Sequence, residues 1–574
     1  MRRLRAVLWR GICARAFVTP SAEGVARAPG AFWGFLFQSR VRAESGREWL
    51  VALLGLAALL LIQLLCVPPT NFGGLDEWLD LELISRGVVA VPFAYRPLGL
   101  IWASPASWLV PGFGFAVFRW LFGLYALLSA AVSFGIVRRL LPERPSLGML
   151  TACFVLAWAP RDMARLSTVD SVNYQGITLG TLLAIALLVE AWQRRSRALF
   201  GASVLMAFLA IRCYEGGCVL LAFAPALLLL TQERSRRLWG WTLVWESVVG
   251  MAAAFVLLEL EVSARETSYQ LSVMQLDPDP LGWVGRLARQ YSLHLSALFT
   301  SAPSELWARA VAVAAIVVVL SLAAVGRNSS RDWQGRWLLT VAGSLGLVLA
   351  GSAYSLVLLG WQPPTAYRLQ FLSGPGIALF LASVVHLLGS LLRGRERLAT
   401  AVLGAWVAAV GTGRTLAMQR EWEAISVQPR QMRMLSELIR VVPDVLPHTL
   451  MIALDEGRAW LGAFPFHHAV QYLYERRAAG FVPHRTDTLY RASAVPKGIQ
   501  FEPLPIVRRA WDAPRTVYGY DEIVVVRNTP REGVVVLDDW PADLKALPPG
   551  VRYAPRNRIH THGPLKRAAI LAQE

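Results

Sequence analysis

Long apolar runs recur along this chain from Leu50 to Val410 and then stop. A helix of about 20 apolar residues is long enough to cross the hydrocarbon core of a bilayer. In lipid the backbone must satisfy its own hydrogen bonds, so a chain built of such runs becomes an all-α membrane bundle. Composition agrees. Of 574 residues, 55% are hydrophobic and 17% charged, against about 25% charged in soluble proteins.

The formal net charge of +18 invites a nucleic-acid partner, but its make-up argues against one. Lysine occurs only at Lys497, Lys545 and Lys566, so arginine supplies 54 of the 57 basic residues. That skew points to coding bias rather than to selected phosphate ligands. Much of the charge sits in short loops between apolar runs, as triplets: Arg138, Arg139, Arg144; Arg194, Arg195, Arg197; Arg234, Arg236, Arg237; Arg327, Arg331, Arg336; and Arg393, Arg395, Arg397. Short basic loops stay in the cytoplasm. All five triplets share one side only if residues 198–231 form two spans. The predicted spans are then 49–67, 113–137, 147–160, 176–192, 198–212, 216–231, 239–260, 306–325, 337–360, 371–392 and 398–413: eleven in all, with the N-terminus inside and the C-terminus outside.

Residues 1–48 read as a basic cytoplasmic arm that can touch anionic headgroups, because no apolar core long enough for a signal peptide precedes Trp49. Residues 49–413 form the transmembrane domain. Residues 414–574 read as a small extracytoplasmic α/β domain, with helices over 415–442 and 466–478 and strands over 449–454, 522–527 and 533–537 in one small sheet. None of the five cysteines lies beyond residue 410, so this domain has no disulfide.

The densest polar constellation is Gly73-Gly-Leu-Asp76-Glu77-Trp78-Leu-Asp80-Leu-Glu82, directly after the first span. Leu75, Leu79 and Leu83 recur every four residues, which predicts a short interfacial helix with these leucines toward lipid. A solvated, capped juxtamembrane helix is the plain alternative. An acidic pair in the first external loop resembles the GT-C glycosyltransferases, such as the protein O-mannosyltransferases and the aminoarabinose transferases. Tyr95-Arg96-Pro97-Leu98 and Tyr367-Arg368-Leu-Gln-Phe-Leu-Ser-Gly374-Pro375-Gly376 are similar to further elements of that family.

The resemblance implies transfer of a sugar from a polyprenyl-phosphate donor to a glycan, lipid or protein acceptor, on the outer face of a bacterial inner membrane. It implies a catalytic base at Asp76 or Glu77. Positive charge for the leaving phosphate would come from Arg96, Arg161, Arg165 and Arg368, with Tyr367 beside the last; snorkelling is the plain alternative for each. No cofactor is called for, although some family members use a divalent metal and Asp76 with Glu77 leaves one open. Arg212 and Glu215 either pair with each other or line a cavity. Glu259 reads as interfacial. His467-His468 and His560-Thr-His562 lack metal-site spacing, and Asp277-Pro-Asp279-Pro280 reads as a turn before a helix. The rival functions are a transporter or flippase of a lipid-linked glycan and a non-catalytic envelope-assembly protein.

Overall fold

A computed structural model describes residues 44–66, 77–89, 96–160, 162, 165, 167–231, 235–266, 279–299, 307–324, 333–358, 370–392, 394–483, 490–503, 516–560, 567 and 570–571. The chain divides into two compact units, residues 1–51 and 52–574. Of the first, only the opening turns of helix α1 (Glu44–Cys66) are described. The second holds everything else, so the bundle and the C-terminal α/β region belong to one packed body.

Each of the eleven predicted spans falls on a helix. These are α1, α4 (Ala116–Leu140), α5 (Pro145–Ala157), α6 (Val169–Arg194), α7 (Arg197–Cys213), α8 (Gly217–Phe223) with the 3₁₀ stretch Ala224–Thr231, α9 (Arg236–Glu266), α11 (Trp307–Ala324), α12 (Trp333–Leu358), α13 (Gln370–Gly389) and α14 (Glu396–Ile425). Six of them are long and apolar enough to cross a membrane: those at Ala116–Leu140, Val169–Arg194, Arg236–Glu259, Gln334–Tyr354, Gln370–Gly389 and Glu396–Ile425. Those at Ala52–Leu65, Pro145–Ala157, Gly217–Thr231 and Ala310–Leu322 are apolar but shorter. The chain is a membrane protein by this measure. The outer helices carry bare apolar faces, with Leu243, Met251, Leu257 and Leu258 of α9 more than half exposed.

Glycine permits the tightest crossing. A Cβ on Gly346 of α12 would lie 2.6 Å from the carbonyl oxygen of Gly376 on α13, and the converse contact is equally short. Small residues of this kind let membrane helices approach backbone to backbone.

The arginine triplets do gather at one end. Glu190 bridges Arg139 at 2.6 Å and also pairs with Arg194. Trp241 stacks on Phe200 at 4.6 Å, under the Arg237 guanidinium at 4.4 Å. Ser146 meets His386 at 2.8 Å, joining the loop of Arg144 to that of Arg395 and Arg397. Gly343 packs on Ser383, which brings Arg336 to the same level. Arg234, Arg327, Arg331 and Arg393 lie outside the described residues.

The opposite end carries the α/β region. Its main sheet has the order β3-β2-β7-β8. Strand β2 (Thr449–Asp455) pairs in parallel with β3 (Ala478–Phe481) and β7 (Ile523–Thr529), and β8 (Gly533–Val536) is antiparallel to β7. The three segments expected to share a sheet therefore do so. Strand β2 reads Thr-Leu-Met-Ile-Ala-Leu without alternation because both of its faces are covered. Helix α16 (Ala463–Leu473) connects β2 to β3. A second sheet, β4 (Tyr490–Val495), β5 (Gly498–Pro503) and β6 (Thr516–Tyr518), is antiparallel, and β1 (Asp444–Val445) pairs with β9 (Ile559–His560).

Three expectations need correction. The helix predicted over 415–442 is two: α14 runs on out of the bundle to Ile425, and α15 (Gln428–Val441) restarts with Pro429 in its first turn. Proline is tolerated there because its missing N–H would have no intrahelical partner. The helix expected over 466–478 begins and ends earlier, because Ala478 opens β3. The third correction is the largest. The helix after the first span, α2 (Glu77–Ser85), does not lie on lipid: Glu77 to Ile84 are all buried, Leu79 and Leu83 among them. The α/β region sits on it. Trp78, fully buried, donates its indole N–H to Gln431 of α15 at 3.1 Å and packs 6.2 Å from Trp460 and 6.4 Å from Tyr472. Leu75 lies outside the described residues.

Candidate functional site

Helix α5 ends at Ala157, and Gly411 of α14 allows the chain to turn there: a Cβ on Gly411 would lie 2.6 Å from the Ala157 carbonyl oxygen and 2.8 Å from the Trp158 ring. The turn that follows carries Asp162 and Arg165 toward the start of α6. That turn is gripped from below. Glu77 Oε1 accepts the Ser167 hydroxyl at 2.6 Å and the Val169 backbone N–H at 2.9 Å. A carboxylate on the first N–H groups of α6 satisfies donors that have no intrahelical acceptor, and it matches the positive end of the helix dipole.

Two further elements close the space above Gln175 and Thr178 of α6. Helix α10 (Pro280–Leu295) brings His294, and the first turns of α13 bring Gln370, Phe371 and Pro375. Asp279 caps α10 by accepting the Leu281 N–H at 3.0 Å, with Pro280 in its first turn, so a helix begins where one was expected, while Asp277 and Pro278 of the expected turn lie outside the described residues. The result is a small cavity with a mixed polar and apolar lining at the end of the bundle that carries the α/β region.

The groups around this chamber are poised rather than spent. Among the described residues Arg165 has no side-chain hydrogen bond; its guanidinium lies 5.8 Å from the Phe122 ring, and burial pushes it down to about 10, so it stays cationic at neutral pH. His294 Nδ1 meets the hydroxyl of Tyr354 and, at 3.4 Å, that of Ser373. Burial pushes this imidazole down to about 3, so it is neutral at physiological pH. Gln370 is 1% exposed and, among the described residues, neither atom of its amide has a partner; the Trp158 indole N–H also lacks one. Unpaired buried polar groups are costly, so a cluster of them around one cavity marks a place that a ligand or ordered water completes.

Thr178 and Pro375 also belong to the wall of a second cavity deeper in the bundle. Its lining is almost wholly apolar and includes Ile136, Leu140, Ile185, Leu220, Leu230, Leu349 and Leu379. From Thr178 to Ile185 this shaft follows α6 for about 10 Å at the helical rise of 1.5 Å per residue. A chamber with polar groups next to an apolar cavity fits an amphiphile. No protein-family profile and no curated protein matches the sequence.

Of the residues singled out in the sequence, Arg165 lines the chamber, as do Gln370, Phe371, Gly374 and Pro375 of the motif that begins at Tyr367. Asp76, Arg161, Tyr367 and Arg368 lie outside the described residues. Glu77 sits beneath the chamber wall as a cap. Arg96 is bound elsewhere: its Nε and Nη2 donate to the two oxygens of Glu215 at 2.7 and 2.5 Å, and its guanidinium lies 4.5 Å over Tyr214. Tyr214 in turn packs on Phe371 at 5.5 Å, so this pair backs the aromatic wall of the chamber. Arg212 and Glu215 form no cavity pair of the expected kind. Arg212 forks onto Glu259 of α9 at 2.5 and 3.2 Å, a partner on a different helix from its own. His467 and His468 stand in an aromatic stack with Tyr490 and Phe501, where burial pushes His467 down to about 3.

Arg96 thus supports the wall, and this can be tested. Breaking a buried ion pair from one side costs about 3–5 kcal/mol, and less when a partner is partly wet. The Arg96 side chain is 23% exposed, so Arg96→Ala is expected to cost about 2–3 kcal/mol and to lower the thermal midpoint in detergent. Adding Glu215→Gln should restore most of that loss. An unchanged midpoint in the single variant would instead make Arg96 a substrate ligand.

The sequence reading missed His294 and Trp158, and it quoted Gln370 only as part of the motif at Tyr367, without a role. One signal was present: Gln290 and His294 lie one turn apart on a helix whose other face bears Leu281 and Val284, which are 82% and 65% exposed. Polar residues on the inward face of such a helix indicate a polar interior.

Proposed function

We propose that this chain is a GT-C-type glycosyltransferase that moves a sugar from a polyprenyl-phosphate donor to an acceptor on the outer face of a bacterial inner membrane. The supporting observation is a chamber with polar groups next to an apolar cavity, the two sharing Thr178 and Pro375 in their walls. A lipid tail fits the apolar cavity, a phosphate fits beside Arg165, whose guanidinium makes no side-chain hydrogen bond among the described residues, and a sugar fits the chamber. The acceptor oxygen attacks the anomeric carbon as the bond from that carbon to the phosphate oxygen breaks. The acceptor proton passes to a carboxylate, and polyprenyl phosphate leaves with both electrons of the broken bond. Asp76 is our first choice for that carboxylate, and Glu77 holds the loop that presents Arg165. Arg161, Arg368 and Tyr367 are proposed as further phosphate ligands. The deciding experiment is release of polyprenyl phosphate and labelling of acceptor by the purified protein in proteoliposomes supplied with a radiolabelled polyprenyl-phosphate sugar. A wild type that moves the lipid-linked sugar across the bilayer without consuming it would favour a flippase.

The proposed topology has eleven spans, with residues 1–48 in the cytoplasm and residues 414–574 outside. The gathering of the arginines at one end supports it. Reporter fusions at Arg195, Arg236 and Arg395 are expected to report cytoplasm, and those at Gln290 and Gly457 the outside. A cytoplasmic signal at Gly457 removes the outer-face chemistry.

A further inference from the structure

The chamber contains more than a phosphate needs. One cation, Arg165, faces it, and the carboxylate Asp162 lies three residues away in the same turn. The Gln175 amide and the Thr178 hydroxyl, which also line it, bond to Ser129 and to the Tyr174 carbonyl, and the other polar groups are the Gln370 amide, the Trp158 indole N–H and the His294 imidazole. Gln370 offers two donors and an acceptor, all buried and without protein partners among the described residues. Trp158 offers one donor. The Nδ1 of His294 is engaged by the hydroxyls of Tyr354 and Ser373, and its ring lines the chamber. Phe371, packed 4.6 Å from Tyr174, adds a flat apolar wall.

We propose that Gln370, Trp158 and His294 form a subsite for an uncharged, hydroxyl-rich ring, so that the lipid-linked substrate carries a neutral sugar rather than an amino sugar or a uronic acid. This rests on the lipid-linked reading above and specifies its headgroup. Neutral groups that both give and accept hydrogen bonds match hydroxyls, which do the same. A site built this way rejects a mismatched group strongly, because its own buried polar atoms are then left unpaired. The imidazole supports this from a second side: held neutral by burial, it supplies no counter-charge for a carboxylate. An ammonium would meet Asp162 already acting on Arg165, and the guanidinium itself would repel it, since like charges in low dielectric repel. The aromatic wall suits the C–H face of a pyranose.

The test uses the full-length protein in nanodiscs and three probes on one short isoprenoid: citronellyl phosphate, citronellyl-phosphate glucose, and the same glycoside with a 4-amino group in place of one hydroxyl. Binding is read by thermophoresis. The neutral glycoside is expected to bind about 10-fold or more tightly than either other probe, since it makes two or three hydrogen bonds worth roughly a factor of 3 to 10 each. Gln370→Met keeps the volume and removes the amide, and it should erase that preference while leaving citronellyl phosphate unchanged. Trp158→Phe removes a single N–H and should lower the preference several-fold, which gives a second reading if Gln370→Met does not fold. A preference that survives in Trp158→Phe and in a folded Gln370→Met overturns the subsite, as does a tighter grip on the amino sugar. Failure of wild type to bind any of the three, citronellyl phosphate included, overturns the lipid-linked reading itself.

Discussion

Asp76→Asn is expected to lower sugar transfer by about 10² to 10⁴, the usual contribution of a general base, with insertion and thermal midpoint unchanged. The substitution keeps the shape and removes the charge that would accept the proton. Asp76 directly precedes, in the sequence, the helix α2 whose first residue grips the chamber loop. Glu77 provides the contrast. Glu77→Ala strips the cap from α6, so its stability should fall along with its activity. The two effects are separated by measuring transfer from a radiolabelled donor alongside unfolding of the same preparations. Full transfer by Asp76→Asn would move the base elsewhere, with Asp162 the next carboxylate to test because it lines the chamber.

Trp78→Ala should produce the largest loss of stability. The side chain is fully buried between the bundle and the α/β region, against Trp460 and Tyr472, and its N–H is bonded to Gln431. Truncating a buried aromatic costs about 3–5 kcal/mol through lost burial and the cavity left behind. Much of that loss falls on one contact surface, so the α/β region should become sensitive to protease while the bundle stays intact. Trp78→Phe keeps most of the packing and should recover more than half of the loss. Unaltered protease resistance in Trp78→Ala would mean that the region is held by other contacts.

The neighbouring charges belong to the same surface. Glu82, 2% exposed, lies 3.2 Å from Arg86 of its own helix and 3.7 Å from Arg476 of the α/β region. His468 is 3.9 Å away, but burial and Arg476 hold its pKa well below the ordinary value. The arginines therefore carry the balance of charge, and acidification through the usual histidine range should not loosen the contact.

What the sequence made legible was local. Apolar runs located eleven helical segments, arginine spacing predicted which ends gather, and three β-branched runs predicted members of one sheet. Each of these signals is written within about 20 residues. What stayed hidden was pairing at a distance. The sequence places Arg212 three residues from Glu215 and says nothing of Glu259 on another helix or of Arg96, 119 residues away. Burial of α2 was hidden for the same reason: a helix with leucines on one stripe reads as amphipathic until a second surface covers the other stripe. The chamber escaped because its groups come singly from four segments, and a lone glutamine or histidine at the edge of an apolar run carries no pattern.

The clamp on α2 also sets an order of assembly. Trp78 leaves the ribosome early, yet Gln431, to which it bonds, follows 353 residues later, and Tyr472 later still. Until those residues have been synthesised, the segment that grips the chamber loop lacks its cover. A chain cut short before the α/β region can therefore insert its helices and still lack a finished site, so the membrane holds no working protein until synthesis is complete.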